Sequence, residues 1–358
     1  MTYHFPDEMF TTILGGLSIL DVPRLQIHSQ EEAKDFIKTY GYDLKNDKDL
    51  AEVLRLYRNT IEFFEHDLLV DKETIPKEFL EIKRPEDFYN LILTASSTVT
   101  SESQIWACAL LRVLHVLNHL RNGLFRTFSK TIQDQIFGLF YGHIKRQQDN
   151  IPYLGDLRSG ENIRLYEFDI KKYKSKRSSA IKLLAKKNEY AMNILDRMGV
   201  RFVTYSMFDC FRVLKYLISN HLISVPNVVP DQSKNTLFPL NVFLDVMDKL
   251  NLQDRNHTEE EIDAILWKSL ERWGEEERQY IHKPNDFSSG DYRAIKFIAR
   301  HMVDIPIGKK NLRFFFPYEV QIVDHKTHVL NTTGESSHNE YKARQMLAAK
   351  ARVFGETL

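Results

Sequence analysis

The residue in this chain most in need of a physical reason is a carboxylate inside an apolar run. Glu319 sits in the segment FFFPYEVQI at 314–322, which reads as a strand. Burying a charge beside aromatic and branched side chains costs several kcal/mol unless something compensates it, and a metal ion or a substrate hydroxyl would do so. A second carboxylate, Asp196, lies just ahead of the β-branched and aromatic stretch at 200–205, itself strand-like. Carboxylates at the ends of neighbouring strands can share Mg²⁺, a hard ion that prefers oxygen ligands and substrate phosphates. The same residues also suit plainer uses, Asp196 as a turn cap and Glu319 as the partner of a basic neighbour.

Cations are supplied by a run of eight Lys or Arg residues between 171 and 187. Lys172, Lys174 and Lys182 could surround a polyphosphate. The interleaved Ser175, Ser178 and Ser179 add hydroxyl donors and a helix N-cap, which suits an anion site, although a charge run also serves as a solvated face. Tyr292 follows the flexible FSSG at 287–290, where its ring could stack on a base for about 1–3 kcal/mol. Core packing is the competing use for that ring.

The elements that must position these residues fall into two halves. Helical periodicity predicts helices at 31–40, 49–64 and 103–120, so residues 1–150 read as an all-helical accessory domain. His115 and His119 stand one turn apart there, but no third ligand is near, and they read as ordinary helix residues. The turn-rich DNIPYLGDLRSG at 149–160 marks the boundary. Residues 151–358 then mix types: strands at 164–169, 200–205, 292–305 and 312–323, and helices at 178–195, 208–218 and 339–354. Thr258 and Glu261 form a capping box that opens a helix within a long, helical insertion at about 220–275. The fold class expected is α+β, a mixed β-sheet flanked by helices.

Composition narrows the setting. The 358 residues carry 49 Lys and Arg against 49 Asp and Glu, so no global field attracts nucleic acid, and any polyanion must meet a local patch. Hydrophobic content of 43% and charged content of 27% fit a globular protein. No run of 18 apolar residues and no secretory h-region occurs, so a cytoplasmic protein without membrane partners is expected. Cys108 and Cys210, each in an apolar helical run, read as buried free thiols of a reducing compartment.

Taken in order, the elements of 165–342 resemble the synthetase domain of the RelA/SpoT family, the pyrophosphokinases that make (p)ppGpp alarmones. The family's R-x-K-S-x-x-S-(x)₃-K is similar to KYKSKRSSAIK at 172–182. Its D-x-x-G-x-R is matched by DRMGVR at 196–201, and its D-C-Y-x-V-L helix by DCFRVL at 209–214. The P-K-x-N-G-Y-x-S-x-H loop is approximated by Lys283, Pro284, Asn285 and GDYRAIK at 290–296, and E-[VI]-Q-I by EVQI at 319–322. His328, Gly334, His338, Tyr341 and Lys342 keep the offsets of the closing M-H-x-x-A-E-x-G-x-A-A-H-W-x-Y-K.

The resemblance implies a nucleotidyltransferase-like synthetase domain that moves a pyrophosphoryl group from ATP to the 3′-hydroxyl of a GTP- or GDP-like acceptor and releases AMP. It implies Mg²⁺ as the cofactor, with Asp196 as its ligand and Glu319 as a second ligand or catalytic base. Lys172, Lys174, Ser178, Lys182 and Arg201 would hold ATP, while Tyr292, Lys296, Gln321, His328 and His338 would shape the acceptor site. The chain departs from the pattern at Lys172 (Arg in the family), Ala294 and Lys296 (Ser and His), Val323 and Asp324 (Arg and Thr), and Asn331 and Thr332 (Ala and Glu). These changes gather on the acceptor side. They leave open two alternatives, pyrophosphorylation of the tRNA 3′ end and a catalytically degenerate nucleotide-binding regulatory protein. Hydrolysis of an alarmone is not expected.

Overall fold

A computed structural model describes residues 18–70, 73–121, 124–147, 150–155, 162–172, 175–186, 195–252, 256–281, 292–333 and 338–355, with backbone alone at 124–126, 338 and 339. In chain order the elements are α1 (Gln30–Thr39), α2 (Asp47–Phe63), α3 (Lys77–Leu80), α4 (Pro85–Ala95), α5 (Glu102–Arg121), α6 (Leu124–Tyr141), β1 (Ile144–Arg146), β2 (Pro152–Gly155), β3 (Asn162–Lys171) and α7 (Lys176–Ala185). There follow β4 (Gly199–Thr204), α8 (Met207–Ser219), β5 (Val228–Asn235), α9 (Leu240–Asn251), α10 (Glu259–Arg272), β6 (Ile295–Ile307), β7 (Lys310–Asp324), α11 (His325–Thr332) and α12 (His338–Phe354). No helix among the described residues is long and apolar enough to cross a membrane.

Two compact units share the chain, and neither is contiguous. One holds Met1–Gly123, Ser175–Ile194 and Lys342–Leu358; the other holds Leu124–Lys174 and Leu195–Tyr341. The boundary read at 150/151 therefore falls inside the second unit, and α7, with its share of the basic run, belongs to the first.

The first unit is helical. Leu56, Phe64 and Leu110 are fully buried, and the rings of Phe64, Trp106 and Phe354 pack edge-on or tilted against one another. Its polar ends are closed locally. Ser29 Oγ accepts the amide of Glu32 at 3.1 Å to cap α1, and Ser175 Oγ accepts that of Ser178 at 3.1 Å to cap α7.

The second unit is built on a seven-stranded sheet in the order β1-β2-β3-β4-β7-β6-β5. The β4–β7 pair is parallel and the other pairs are antiparallel, so the sheet is mixed and flanked by helices. Alternation assigns its faces. Phe168, Val200, Phe202, Val320 and Ile322 point toward a core that includes Ile132, Ile136 and Phe140 of α6 and Cys210 and Val213 of α8. Both cysteines are buried free thiols. The insertion at 220–275 is not wholly helical: β5 lies within it and pairs with β6 at the sheet edge. Its Pro230 lacks an N–H for the ladder and is tolerated there because an edge strand leaves one side unpaired. The Thr258–Glu261 capping box forms as read, at 3.1 and 3.2 Å.

Parallel register sets Gly199 directly against Glu319, and the approach is close. A Cβ at Gly199 would stand 2.7 Å from the Glu319 carbonyl oxygen and 2.9 Å from its Cβ. The obstacle is backbone, so the strand itself would have to move. Gly199→Ala is expected to destabilise the protein by about 1–3 kcal/mol, read as a lowered urea midpoint; an unchanged midpoint would mean that the two strands are not held so tightly.

Candidate functional site

The face of the sheet opposite the apolar core is charged. Strand β3 contributes Glu167, Asp169 and Lys171, β4 contributes Gly199 and Arg201, β7 contributes Glu319 and Gln321, and β6 contributes Lys296. Asp169, Arg201, Gln321 and Lys296 occupy one row across the four strands, and Lys171, Gly199 and Glu319 the next.

Glu319 is 5% exposed and its two oxygens face two ammonium groups. Lys296 Nζ pairs with Oε2, and Lys171 Nζ lies 3.5 Å from Oε1. Lys171 also donates to Gln321 Oε1 at 3.3 Å. Burial opposes the charge of Glu319, and Asp196 adds repulsion, but Lys296 and Lys171 outweigh both and hold the carboxyl below its ordinary value. Burial likewise opposes the charge of Lys296, while Glu319 and then Asp196 raise its affinity for a proton. Asp196, half-buried in the segment leading to β4, thus lies close enough for its charge to act on both partners.

Arg201 pairs with Glu167 at 3.2 Å and Asp169 at 3.0 Å, and its buried Nε has no acceptor among the described residues. Gln321 donates from Nε2 to the Tyr292 hydroxyl, fixing the ring, whose own ionisation burial pushes up. Behind Tyr292, Asn331 of α11 clamps the backbone of Arg293, accepting its N–H at 3.0 Å and donating to its carbonyl at 2.7 Å. His328, also on α11, lies 3.9 Å from Glu167, and burial, then Arg201, holds its imidazole below the usual value.

The structure therefore brings together Asp196, Arg201, Tyr292, Lys296, Glu319, Gln321 and His328. Lys172 is exposed just past the end of β3. Lys174 lies outside the described residues, as does the side chain of His338, whose backbone opens α12. Ser178 and Lys182 are on α7, in the helical unit, and Ser178 serves the N-terminal turn of that helix. The partners Glu167 and Asp169 were not singled out by sequence. The available signal was the alternation of EFDIK at 167–171, which places every second residue on one face.

A two-carboxylate Mg²⁺ site made from Asp196 and Glu319 does not fit this arrangement, because ammonium groups stand at both oxygens of Glu319. Among the described residues no group of three His, Cys, Asp or Glu side chains is placed to hold a metal. Mg²⁺ is commonly held by a single carboxylate together with substrate phosphates and water, and Asp196 is chemically suited to that mode.

Glu319 gives the protein a pH-dependent contribution of known sign. Its folded pKa is lower than its ordinary 4.5, so the stabilisation is complete above that value and is lost as pH falls through the folded one. Lys296→Met should cost about 1–3 kcal/mol at neutral pH, less than the ~3–5 of a fully buried broken pair because part of the lysine is exposed. The gap from wild type should narrow as pH falls below 4.5, measured by urea denaturation across that range; a gap independent of pH would remove Glu319 from the account.

No family model matches the chain and no curated protein matches it, so the roles of these side chains rest on their geometry and chemistry.

Proposed function

We propose that the charged face binds a nucleotide polyphosphate and supports pyrophosphoryl transfer from ATP to the 3′-hydroxyl of a GTP- or GDP-like acceptor. This is the reaction implied by the resemblance to RelA/SpoT synthetase domains, and it makes the second unit a nucleotidyltransferase-like domain and the helical unit its accessory. The observation that carries the reading is the pairing of Glu319 with Lys296 and Lys171 beside Asp196 and Arg201. A carboxylate that fixes an ammonium group aims it at phosphate oxygens, a device recurrent in phosphoryl transfer, where positioning and charge stabilisation do most of the catalysis.

In this reading Glu319 is a positioning residue rather than the base, since a carboxylate held ionised by two lysines takes up a proton poorly. Lys171 and Lys296 bind phosphate oxygens, and the Nε of Arg201 adds a donor. Tyr292, held by Gln321 and backed by Asn331, positions the acceptor base. Asp196 would hold Mg²⁺, which would neutralise phosphate charge. The acceptor 3′-oxygen forms a bond to the β-phosphorus, the bond from that phosphorus to the α–β bridging oxygen breaks, and AMP leaves with the electron pair while the hydroxyl proton passes to water.

The same pair favours one second reading. With both Glu319 oxygens engaged, and with Ala294 and Lys296 where the family pattern has Ser and His, the face would bind nucleotide without turnover, as in a regulatory protein.

ATP labelled on the γ-phosphate, offered with Mg²⁺ to GDP, GTP and bulk tRNA in parallel, tests these readings. Label on GDP or GTP is expected, falling about 10²–10³-fold in Lys296→Met and at least as far in Asp196→Asn. Label on tRNA alone would make the tRNA 3′ end the acceptor. ATP binding with no transfer to any acceptor would establish the regulatory reading.

A further inference from the structure

The helical unit contains a cavity of about 100 Å³ that the phosphate chemistry does not use. Its walls are apolar, with Val53, Leu56, Phe88 and Ile92 among them, and they come from α2 and α4 with further side chains from α1 and α5. An enclosed apolar cavity of about 150 Å³ takes a benzene-sized guest, so this smaller one, which is partly open to solvent, takes an apolar body of about four carbons and leaves a longer tail room to extend outward.

Two guanidinium groups, Arg24 and Arg112, interrupt the walls, and of these Arg112 is the buried one. Arg112 of α5 is 8% exposed and lines the cavity. Its Nη1 donates to the carbonyl of Val353 at 2.6 Å and its Nη2 to that of Val22 at 2.8 Å. Among the described residues no carboxylate pairs with it. The acidic groups that act on it are the Cys108 thiol and then Asp21, and both oxygens of Asp21 are engaged by Arg352 at 2.6 and 2.9 Å. The guanidinium groups of Arg112 and Arg352 thus share one carboxylate, leaving one positive charge in excess. A buried guanidinium bonded to neutral carbonyls retains a desolvation cost that an anion would offset. The lining groups Tyr40, Tyr42, His115 and Asn118 are satisfied without charge. Tyr40 OH and His115 Nδ1 are 2.9 Å apart, Tyr42 OH donates to Asn118 at 2.8 Å, and burial, aided by His119, brings His115 down to about 4, so its imidazole is neutral near pH 7.

We infer that this cavity binds a small amphipathic monocarboxylate, its apolar tail against the walls contributed by Val53, Leu56, Phe88 and Ile92 and its carboxylate on Arg112. The site is separate from the charged face of the sheet and does not depend on what that face does.

Isothermal titration of the full chain with hexanoate, and with hexan-1-ol as the uncharged counterpart, tests the assignment. Hexanoate should bind at a single site about tenfold or more tighter than the alcohol, the difference a charge-assisted contact supplies. Arg112→Gln should abolish that preference. Because Arg112 also ties Val22 and Val353, a second variant, Val53→Phe, fills the cavity from its apolar side and should remove hexanoate binding while the circular dichroism spectrum is kept. Equal affinity for acid and alcohol, no hexanoate binding to the wild type, or full binding in a folded Val53→Phe protein would each overturn the proposal.

Discussion

A single buried carboxylate organises the sheet. Glu319 lies in the central strand pair, where an unpaired charge would cost several kcal/mol, and the surrounding structure meets that cost from three sides. Lys296 reaches it from β6, Lys171 reaches it from β3 across the parallel β4–β7 step, and between them Gly199 presents no side chain. Any side chain at Gly199 would meet the Glu319 backbone before its carboxylate could settle between the two lysines. The backbone hydrogen bond from Glu319 N to Met198 O, at 2.9 Å, extends the same close pairing by one residue. Removing the charge would relax the demand for the two lysines, whereas Gly199 would still be required by the backbone of Glu319.

The remainder of the face follows the same logic with weaker stakes. Arg201 is partnered by two carboxylates that are about two-fifths exposed, so each pair is screened by water and contributes modestly. What these pairs do is fix direction: they hold the guanidinium in the row of Asp169 and Gln321 and leave its Nε without an acceptor among the described residues. Lys171, nearly half exposed, is the more easily released of the two lysines on Glu319, and Lys296 the more firmly held. An arriving phosphate would therefore draw on Lys171 first, with Lys296 kept in place by the carboxylate behind it.

Much of this was legible in the sequence, and the limits have physical causes. The strand bearing Glu319, the strand after Asp196 and the helix at 208–218 were read from alternation and helical period, which are local properties of the chain. The hairpin of β6 and β7 was readable because its turn contains Gly308, which takes φ +62°. Strand β5 was missed because VVPDQSKN is polar, contains a proline and sits at an exposed edge, so no burial pattern marks it. Strands β1 and β2 were missed because three and four residues carry too little periodicity to register. That Glu319 pairs with a basic neighbour was legible, but not that the neighbour is Lys296. The pair joins two strands by register, and in the sequence Lys296 stood out as a departure from a motif and as a candidate for the acceptor site.

The helical unit meets a buried charge without a charge pair, and only in part. In the sheet, a buried carboxylate is matched by the ammonium groups of Lys296 and Lys171. In the helices, Arg112 is matched by backbone carbonyls fixed at both ends of its guanidinium, and His115 escapes the problem by remaining neutral against Tyr40. Carbonyl dipoles satisfy hydrogen bonds but not net charge, so the electrostatic demand at Arg112 persists where that at Glu319 is already met. On the proposed reading, a ligand at the sheet would compete with existing partners, whereas an anion in the helical cavity would meet a cation whose nearby carboxylate is engaged by Arg352.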